Sequence, residues 1–289
     1  MPVAHLDDRA VVRIAGPDAA TLLQSVLTLD VPSADRQGIG YGALLTPQGK
    51  VLWDFVLHKL PDGYAADVRA EEAEAFAKRL SLYKLRAAVE IGVAPELAVY
   101  AAWDDDPSPS PSPRGGGEAP VDPRLAELGR RRVAPKGSVA TDASAADWHR
   151  HRIALAVPEG GIDFVFGDAF PFDAAMDSLH GVAFDKGCFV GQEVVSRMRH
   201  RGTARRRIVA LHAKAALPAP GAEIVAGERP LGRLGSSADG NAIGLVRLDR
   251  LRAALDEGHV ARVGAEEVAV ELPSWATYGW PATATAGED

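Results

Sequence analysis

The residues best suited to chemistry in this sequence surround its single cysteine, Cys188. Gly187 and Gly191 flank it closely, and glycine permits an unusual backbone or the close approach of a ligand. From Gly191 onwards the apolar positions follow a helical period, which places Cys188 just before a helix N-terminus. Backbone N–H groups, the helix dipole and the charge of Lys186 favour a thiolate there. The pattern predicts a reactive or metal-binding thiol, whereas a lone cysteine in an apolar frame is commonly buried and inert.

The cysteine count limits what this thiol can do alone. One cysteine excludes an internal disulfide and any site in which one chain supplies two or more cysteine ligands, such as a zinc ribbon or a conventional iron–sulfur cluster. A cluster bound at Cys188 would need further ligands from a partner protein, a second copy of the chain or a small thiol.

A run of arginines follows the cysteine motif. Its members are Arg197, Arg199, Arg201, Arg205, Arg206 and Arg207. Arginine grips carboxylates and phosphates through its planar guanidinium group, so the run indicates an anion site for a polyglutamate tail, a phosphate or an RNA backbone. The alternative is a solvated face that pairs with acids elsewhere. The net charge of −7 disfavours general nucleic-acid binding.

Two other patterns are weaker. His149 and His151 stand two residues apart, which can place both on one face of a strand, but no second group of ligands accompanies them. The glycines between Gly38 and Gly42 precede a strand and a turn rather than a helix, so they do not indicate a nucleotide-binding loop.

Periodicity and turn residues predict an α+β chain that ends in a small antiparallel β-barrel. Residues 41–68 are expected to form an antiparallel meander and residues 71–84 a helix. Short strands separated by glycines between residues 207 and 275 indicate the barrel. Alternating proline and serine followed by glycines predict a disordered surface loop at 104–121, and residues 276–289 are expected to fray.

Length and composition set the broad class. A chain of 289 residues with 47% hydrophobic and 25% charged residues is typical of a globular protein with two domains or one multi-lobed unit. No apolar run approaches the roughly 18 residues of a membrane-spanning helix. The first residues lack the pattern of a signal peptide, so a cytoplasmic location is expected.

The segment around Cys188 resembles the signature of the folate-binding YgfZ family. The family pattern is Lys-Gly-Cys-aromatic-any-Gly-Gln-Glu, and each fixed position matches. The matching residues are Lys186, Gly187, Cys188, Phe189, Gly191, Gln192 and Glu193. Further agreements follow in order along the chain, at 23–31, 46–50, 83–86 and 122–124. The resemblance covers most of the chain, with 104–121 as an insertion.

The resemblance implies a three-lobed fold around a central channel, shared with the aminomethyltransferase of glycine cleavage (the T-protein), with tetrahydrofolate in the channel. It also implies a role in iron–sulfur cluster assembly or repair, with Cys188 as the functional residue and a transient cluster ligand. The first lobe would contain residues 1–47 and 143–204, the second 48–142, and the C-terminal barrel 205–289. Iron–sulfur assembly proteins or client enzymes would be its partners, and a monomer is expected.

The folate pocket can be assigned to particular residues as a prediction. Trp53, Asp54 and Tyr83 are candidates to surround the pterin, and Gln192, Arg197 and Arg199 are candidates to bind the rest of the cofactor. The T-protein carries two adjacent aspartates where this sequence has Trp53 and Asp54. A lone carboxylate can still act as a base, so a folate-dependent aminomethyltransferase remains an alternative. A tRNA-binding or tRNA-modification factor that uses the arginine run is the second alternative.

Overall fold

The computed structural model describes residues 1–103, 119–202 and 204–281. Most of the predicted loop at 104–121 therefore lies outside the described residues, as does most of the C-terminal segment that is expected to fray.

The regular elements alternate between strands and helices along the chain. The strands are β1 Val3–His5, β2 Arg9–Ala15, β3 Ile39–Leu45, β4 Val51–Leu60, β5 Gly63–Arg69, β6 Glu90–Val93, β7 Leu97–Ala102, β8 Arg130–Pro135, β9 Arg206–Ala213, β10 Glu223–Ala226, β11 Arg229–Ala238, β12 Asn241–Arg247, β13 Ala261–Val263 and β14 Glu266–Glu271. The α-helices are α1 Ala19–Val26, α2 Val31–Gln37, α3 Ala73–Ser81, α4 Ala145–Ala154, α5 Gln192–Arg201 and α6 Leu248–Asp256.

The described strands pair into three antiparallel groups. One sheet has the strand order β1-β7-β8, a larger one has the order β3-β4-β5-β2-β6, and the last six strands close into a barrel of order β10-β11-β12-β9-β14-β13. The predicted α+β class and the C-terminal antiparallel barrel are both confirmed. The predicted meander at 41–68 is also present as β3, β4 and β5.

The five-stranded sheet has one face covered by helices and one face turned to the interior. Side chains alternate between the two faces of a strand. Phe55 and Leu57 of β4 accordingly pack in the cluster that contains Phe76 of α3 and the apolar face of α1. The alternate residues, Asp54 and Val56, lie on the interior face. This alternation decides which strand residues can reach a buried site.

Two features of the helices go beyond the expectations from the sequence. The first helix ends at Val26 and is followed closely by a second one, α2, even though a proline such as Pro32 often ends a helix. Proline is instead well suited to the first turn, where Asp30 caps α2 by accepting a hydrogen bond from the Ser33 N–H at 3.0 Å. The helix predicted at 71–84 is shorter, since α3 ends at Ser81.

The large sheet is continuous across the predicted lobe boundary between residues 47 and 48. Strands β3 and β4 pair along their whole length on either side of that point. The predicted boundary at 204 and 205 precedes the first barrel strand, β9. No helix among the described residues is both long enough and apolar enough to cross a membrane.

Candidate functional site

Cys188 is exposed, on the loop that leads into α5. The helix begins at Gln192, so the predicted position of the thiol just before a helix N-terminus is confirmed. Phe189 is buried in the main core and anchors the loop from beneath. The Gln192 side-chain oxygen accepts a hydrogen bond from the Phe189 N–H at 3.3 Å. Two residues of the motif thus hold the backbone while the thiol faces outward.

Lys186 fastens the same loop to the helical layer. Its Nζ donates hydrogen bonds to the carbonyl oxygens of Leu27 and Leu29, at 2.8 and 2.7 Å. Burial lowers the pKa of Lys186 to about 8, and the nearby negative charge of Asp30 opposes the shift. The sequence predicts that the charge of this lysine favours a thiolate at Cys188, but the ammonium group instead donates to the segment between α1 and α2.

Two glycines bring distant motifs into contact. Gly49, in the turn between β3 and β4, and Gly191, before α5, both have left-handed backbones, with φ of 79° and 80°. A Cβ atom at Gly191 would lie 2.6 Å from the carbonyl oxygen of Thr46, and one at Gly49 would lie 3.0 Å from the Val194 side chain. Only glycine permits this approach at Gly191, so the β3–β4 turn is a fixed support for the cysteine loop.

A cavity opens beside the thiol. Its volume is about 430 Å³, and its walls come from α1, α2 and the cysteine loop. The lining residues are Ala20, Thr21, Gln24, Ser25, Val31, Pro32, Asp35, Gly187 and Cys188.

Below the interior face of the large sheet lies a second candidate centre, a network of buried charged residues. Its members are Arg9, Arg124, Arg131, Arg152, Asp54, Asp67, Asp122, Glu159 and Asp163. Asp67 accepts hydrogen bonds from the Arg9 Nε at 2.7 Å and the Arg131 Nε at 2.5 Å. Asp163 accepts from the Arg152 guanidinium at 2.7 Å. These pairs compensate one another's charge where water is excluded.

Two carboxylates of this network have acceptor atoms without a hydrogen-bond partner. Glu159 is 1% exposed and neither of its oxygens accepts a hydrogen bond, while Asp54 has one free oxygen, Oδ1. The other oxygen of Asp54 accepts from the Tyr41 hydroxyl at 3.0 Å. Burial raises the pKa of Asp54, although Arg9 opposes the shift. The arrangement offers free acceptor atoms to a ligand that carries N–H groups.

Tyr41, the hydrogen-bond partner of Asp54, also lines a cavity. A cavity of about 380 Å³ has Tyr41, Asp30, Ser33, Pro123 and His180 in its walls. That volume lies in the range of small-molecule pockets, roughly 300–1,000 Å³. Asp54 therefore lies behind one wall residue, Tyr41, of a space large enough for a cofactor fragment.

The structure does not bring the residues predicted to bind folate together. The Trp53 indole N–H donates to the Glu72 carboxylate at 2.7 Å on the helix-covered face of the sheet, and Tyr83 packs in the same helical cluster. Asp54 faces the opposite side, with Tyr41. Trp53 and Tyr83 are therefore separated from Asp54 by the sheet itself.

Half of the arginine run, Arg197, Arg206 and Arg207, is engaged in ion pairs. Arg206 pairs with Asp168 and Asp173, at 2.7 and 2.8 Å. Arg207 pairs with Asp177 at 2.9 Å. Arg197 pairs with Glu193 on α5. The Arg199 guanidinium lies over the Phe184 ring, and Arg201 is exposed to solvent. These arginines therefore fit the alternative hypothesis, a solvated face that pairs with acids, better than a single anion-binding site.

The two histidines lie on helix α4, not on a strand, so their side chains diverge. His149 reaches Asp8 at 2.9 Å and has Glu159 at 3.9 Å, and the ligand atoms of these three residues lie within 4.8 Å of one another. The Arg152 Nε donates to His149 Nδ1 at 3.1 Å and also lies 3.6 Å from Glu159. Since this guanidinium already occupies the ring nitrogen that faces Glu159, the cluster is built for charge compensation rather than for a metal ion.

Several members of the buried network escaped the sequence reading. Glu159 precedes two glycines, and Arg124 belongs to a segment noted only for its resemblance. Arg9 lies on a strand, β2, that periodicity did not reveal. A charged residue in an otherwise apolar strand is a usable signal, because isolated charges are almost never buried without partners.

The buried carboxylates predict a loss of stability in acid. Burial alone would raise the pKa of Asp67, but Arg131 and Arg9 outweigh it and hold the pKa below its usual value. Arg152 and Arg9 hold the pKa of Glu159 well below its usual value in the same way. Lowered pKa values contribute stability that is present above the unfolded value of about 4 and is lost as the pH falls through the folded values.

We therefore expect the free energy of unfolding in urea to fall gradually below about pH 6.5 and steeply below about pH 4. The gradual fall comes from His58, because burial lowers its pKa to about 4 in the folded protein while the unfolded chain takes up the proton at a higher pH. Asp54, whose pKa is raised, works in the opposite direction and partly offsets the fall. The measurement is a series of urea titrations at fixed ionic strength. Equal stability at pH 6 and pH 3 would contradict the argument.

Comparison with known proteins identifies the relatives of this chain. The model of the CAF17 C-terminal beta-barrel domain matches residues 205–278, which contain the barrel. The chain is 30% identical to the human mitochondrial iron–sulfur cluster assembly factor IBA57, over 96% of this chain and 85% of that protein. It is 35% identical to the IBA57 homolog of Pyricularia oryzae, over 71% of this chain and 55% of that protein.

A solved structure shows the same fold. The glycine cleavage system aminomethyltransferase T from Bartonella henselae superposes with a TM-score of 0.66 at 15% identity, over 94% of this chain and 84% of that one. The predicted T-protein-like fold is thereby confirmed. From its identity to the human protein across 85% of that protein's length, the chain belongs to the IBA57 family of iron–sulfur cluster assembly factors.

Proposed function

We propose that this protein assists iron–sulfur cluster assembly by offering the Cys188 thiolate as one ligand of a cluster shared with another protein. The observation that carries the proposal is the exposure of Cys188 on a loop whose backbone is held from two sides. An exposed thiol on a fixed loop can reach the iron of a second protein without unfolding. The names of the curated relatives support the same role.

Binding of a cluster to Cys188 is a ligand exchange at iron. The thiol gives its proton to solvent, its sulfur forms a bond to iron, and one ligand of the donor site leaves that iron. No electron is added or removed. Because the chain has one cysteine, the partner supplies the remaining ligands of the cluster.

We further propose that the interior binds tetrahydrofolate, with the pterin beside Glu159 and Asp54. The pyrimidine edge of a pterin carries an amino group and a ring N–H, which are hydrogen-bond donors. The free oxygens of Glu159 and Asp54 are buried acceptors of the complementary kind. Tyr41, which donates to Asp54, also lines the cavity of about 380 Å³, and this cavity would receive the part of the cofactor that extends beyond the pterin.

One observation favours a second candidate function, a folate-dependent transferase. Asp54 is buried, has a raised pKa and keeps one free oxygen, which suits a carboxylate that exchanges a proton with a bound ligand. Turnover of methylene-tetrahydrofolate by the purified protein, abolished by Asp54→Asn, would establish this activity. Absence of turnover with intact folate binding would leave the accessory role.

Cys188→Ser tests the main proposal. In a strain that lacks the gene, we expect the wild-type protein to restore the activity of a cluster-dependent enzyme such as aconitase and the variant to remain at the level of the empty strain. Serine preserves the size of the side chain but is a poor ligand for the iron of a cluster.

The matched control is Ser196→Ala, on helix α5 behind the same loop. It should restore the activity fully, and both variants should keep the wild-type melting temperature. Full restoration by Cys188→Ser would refute the role of the thiol. Calorimetric titration with tetrahydrofolate, on wild type and Cys188→Ser, separates the folate site from the thiol, because binding should be equal in both.

A further inference from the structure

We infer that residues 82–88, here named the leucine loop, are the docking surface for the protein that shares the cluster with Cys188. The partner would present an apolar pocket bordered by carboxylates. The inference rests on the proposed function, since it identifies where the partner of that function binds.

The leucine loop exposes large apolar side chains. Leu85 is 89% exposed and Leu82 is 65% exposed, which makes them the two most exposed large apolar residues in the part of the chain that the structure describes. They stand three residues apart, whereas the other exposed examples, such as Val165 and Val260, are isolated in the chain. Single exposed apolar residues are ordinary, but two strongly exposed leucines on one short loop indicate a contact surface.

The backbone of Leu85 is held in a conformation that leucine rarely adopts. Its φ is 47°, in the left-handed region that favours glycine. The loop is nevertheless well fixed: the Ala87 N–H donates to the Lys84 carbonyl at 2.7 Å, and the Ala88 N–H donates to the Asp18 carboxylate at 2.8 Å. The chain therefore tolerates strain to present an apolar side chain to solvent, a pattern found at functional positions.

The charge around the leucine loop indicates the chemistry of the partner. Four basic residues and no acidic residue lie between Glu74 and Glu90. The basic residues are Lys78, Arg79, Lys84 and Arg86. Among the described residues, no ion pair involves any of these four, in contrast to Arg206 and Arg207 of the arginine run. Asp18 accepts the hydrogen bond from the Ala88 N–H, and Lys84 and Arg86 of the loop have no such carboxylate partner within the described ranges, so they favour a partner surface that carries carboxylates.

The position of the loop links it to the thiol. A cleft of about 900 Å³ has Lys84, Ala88 and Ala20 in its walls. Ala20 of α1 also lines the cavity that contains Cys188. The two openings therefore meet at one helix, and a protein seated on the leucine loop extends across α1 towards the thiol.

Leu85→Gly is the decisive variant, because it separates folding from docking. Glycine adopts the left-handed backbone without strain, so the melting temperature should equal or exceed that of the wild type. The same change removes the apolar side chain and should weaken partner binding by about fivefold or more. Val260→Ala, at an exposed position on the barrel, is the control that should change neither quantity.

Docking can be measured with a photocrosslinking amino acid at position 85, and at position 260 as the control, in living cells. We expect an iron–sulfur cluster-binding protein with an acidic surface to crosslink at 85 and not at 260. The yield should fall about fivefold when Lys84→Glu and Arg86→Glu are added. A crosslink no stronger at 85 than at 260, or one only to proteins that bind no cluster, would overturn the inference.

Cys188→Ser keeps the two proposals apart. It should leave the crosslink at position 85 unchanged while it removes the support of cluster enzymes. Full support of those enzymes by Leu85→Gly, beside a loss in Cys188→Ser, would overturn the docking surface alone. Full support by Cys188→Ser would overturn the proposed function.

Discussion

Replacing Asp67 with alanine is expected to lower the free energy of unfolding by about 3–5 kcal/mol, the cost of leaving buried charges without their partner. Asp67 is fully buried and accepts hydrogen bonds from both Arg9 and Arg131. Its removal leaves two guanidinium groups in a region from which water is excluded. An arginine side chain keeps its charge in proteins, so the loss of a proton does not relieve this cost.

The control for this change is Asp168→Ala. Asp168 also contacts two basic residues, Lys50 and Arg206, but its side chain is half exposed. Exposed ion pairs contribute about 0–1 kcal/mol, so this variant should unfold almost as the wild type does. Urea titrations of both variants at pH 7 make the measurement. If both variants lose a similar free energy of unfolding, burial does not explain the contribution of the Asp67 ion pairs to stability.

The second large effect concerns ligand binding. Glu159→Gln is expected to weaken tetrahydrofolate binding by about 10- to 100-fold, the range for a hydrogen bond to a charged group. The substitution exchanges one acceptor oxygen for an amino group and so opposes the donor edge of the pterin. The side chain keeps its size, so the cavity should be unchanged. Calorimetric titration provides the affinity.

Trp53→Phe is the matched comparison, because it distinguishes two locations for the cofactor. Trp53 was assigned to the folate pocket from the sequence, but it lies on the helix-covered face, where its indole N–H bonds to Glu72. If the pterin lies beside Glu159, Trp53→Phe should leave the affinity unchanged. A loss of affinity in Trp53→Phe with none in Glu159→Gln would place the cofactor on the helical side and refute our assignment.

The sequence predicted most accurately the elements whose formation depends on residues close together in the chain. The start of α5 behind Cys188, the β3–β4–β5 meander and the barrel follow from local periodicity and from turn residues. The same periodicity could have separated Trp53 from Asp54, because adjacent residues of a predicted strand point to opposite faces. The predicted folate pocket nevertheless contains residues from both faces of the sheet.

What the sequence could not predict depends on contacts between distant segments. The buried charge of Glu159 is compensated by Arg9 and Arg152, which lie on β2 and α4. No local sequence pattern predicts that these three distant residues lie together. The likeness to iron–sulfur cluster assembly factors is confirmed at the level of the family. Three narrower predictions stay predictions: the YgfZ assignment, the role in tRNA modification and the monomeric state. The cytoplasmic location also stays a prediction, because the curated relatives named here are mitochondrial or are homologs of mitochondrial proteins.

The contact between Gly49 and Gly191 has a consequence for the order in which the chain folds. The cysteine loop takes its shape against a turn that lies far earlier in the sequence, so it cannot be complete before the β3–β4 hairpin is in place. In a nascent or damaged chain that lacks the hairpin, the same thiol is present but its loop is not held in position. Under the proposed role of Cys188, cluster binding is in this way coupled to the completion of the β3–β4 hairpin.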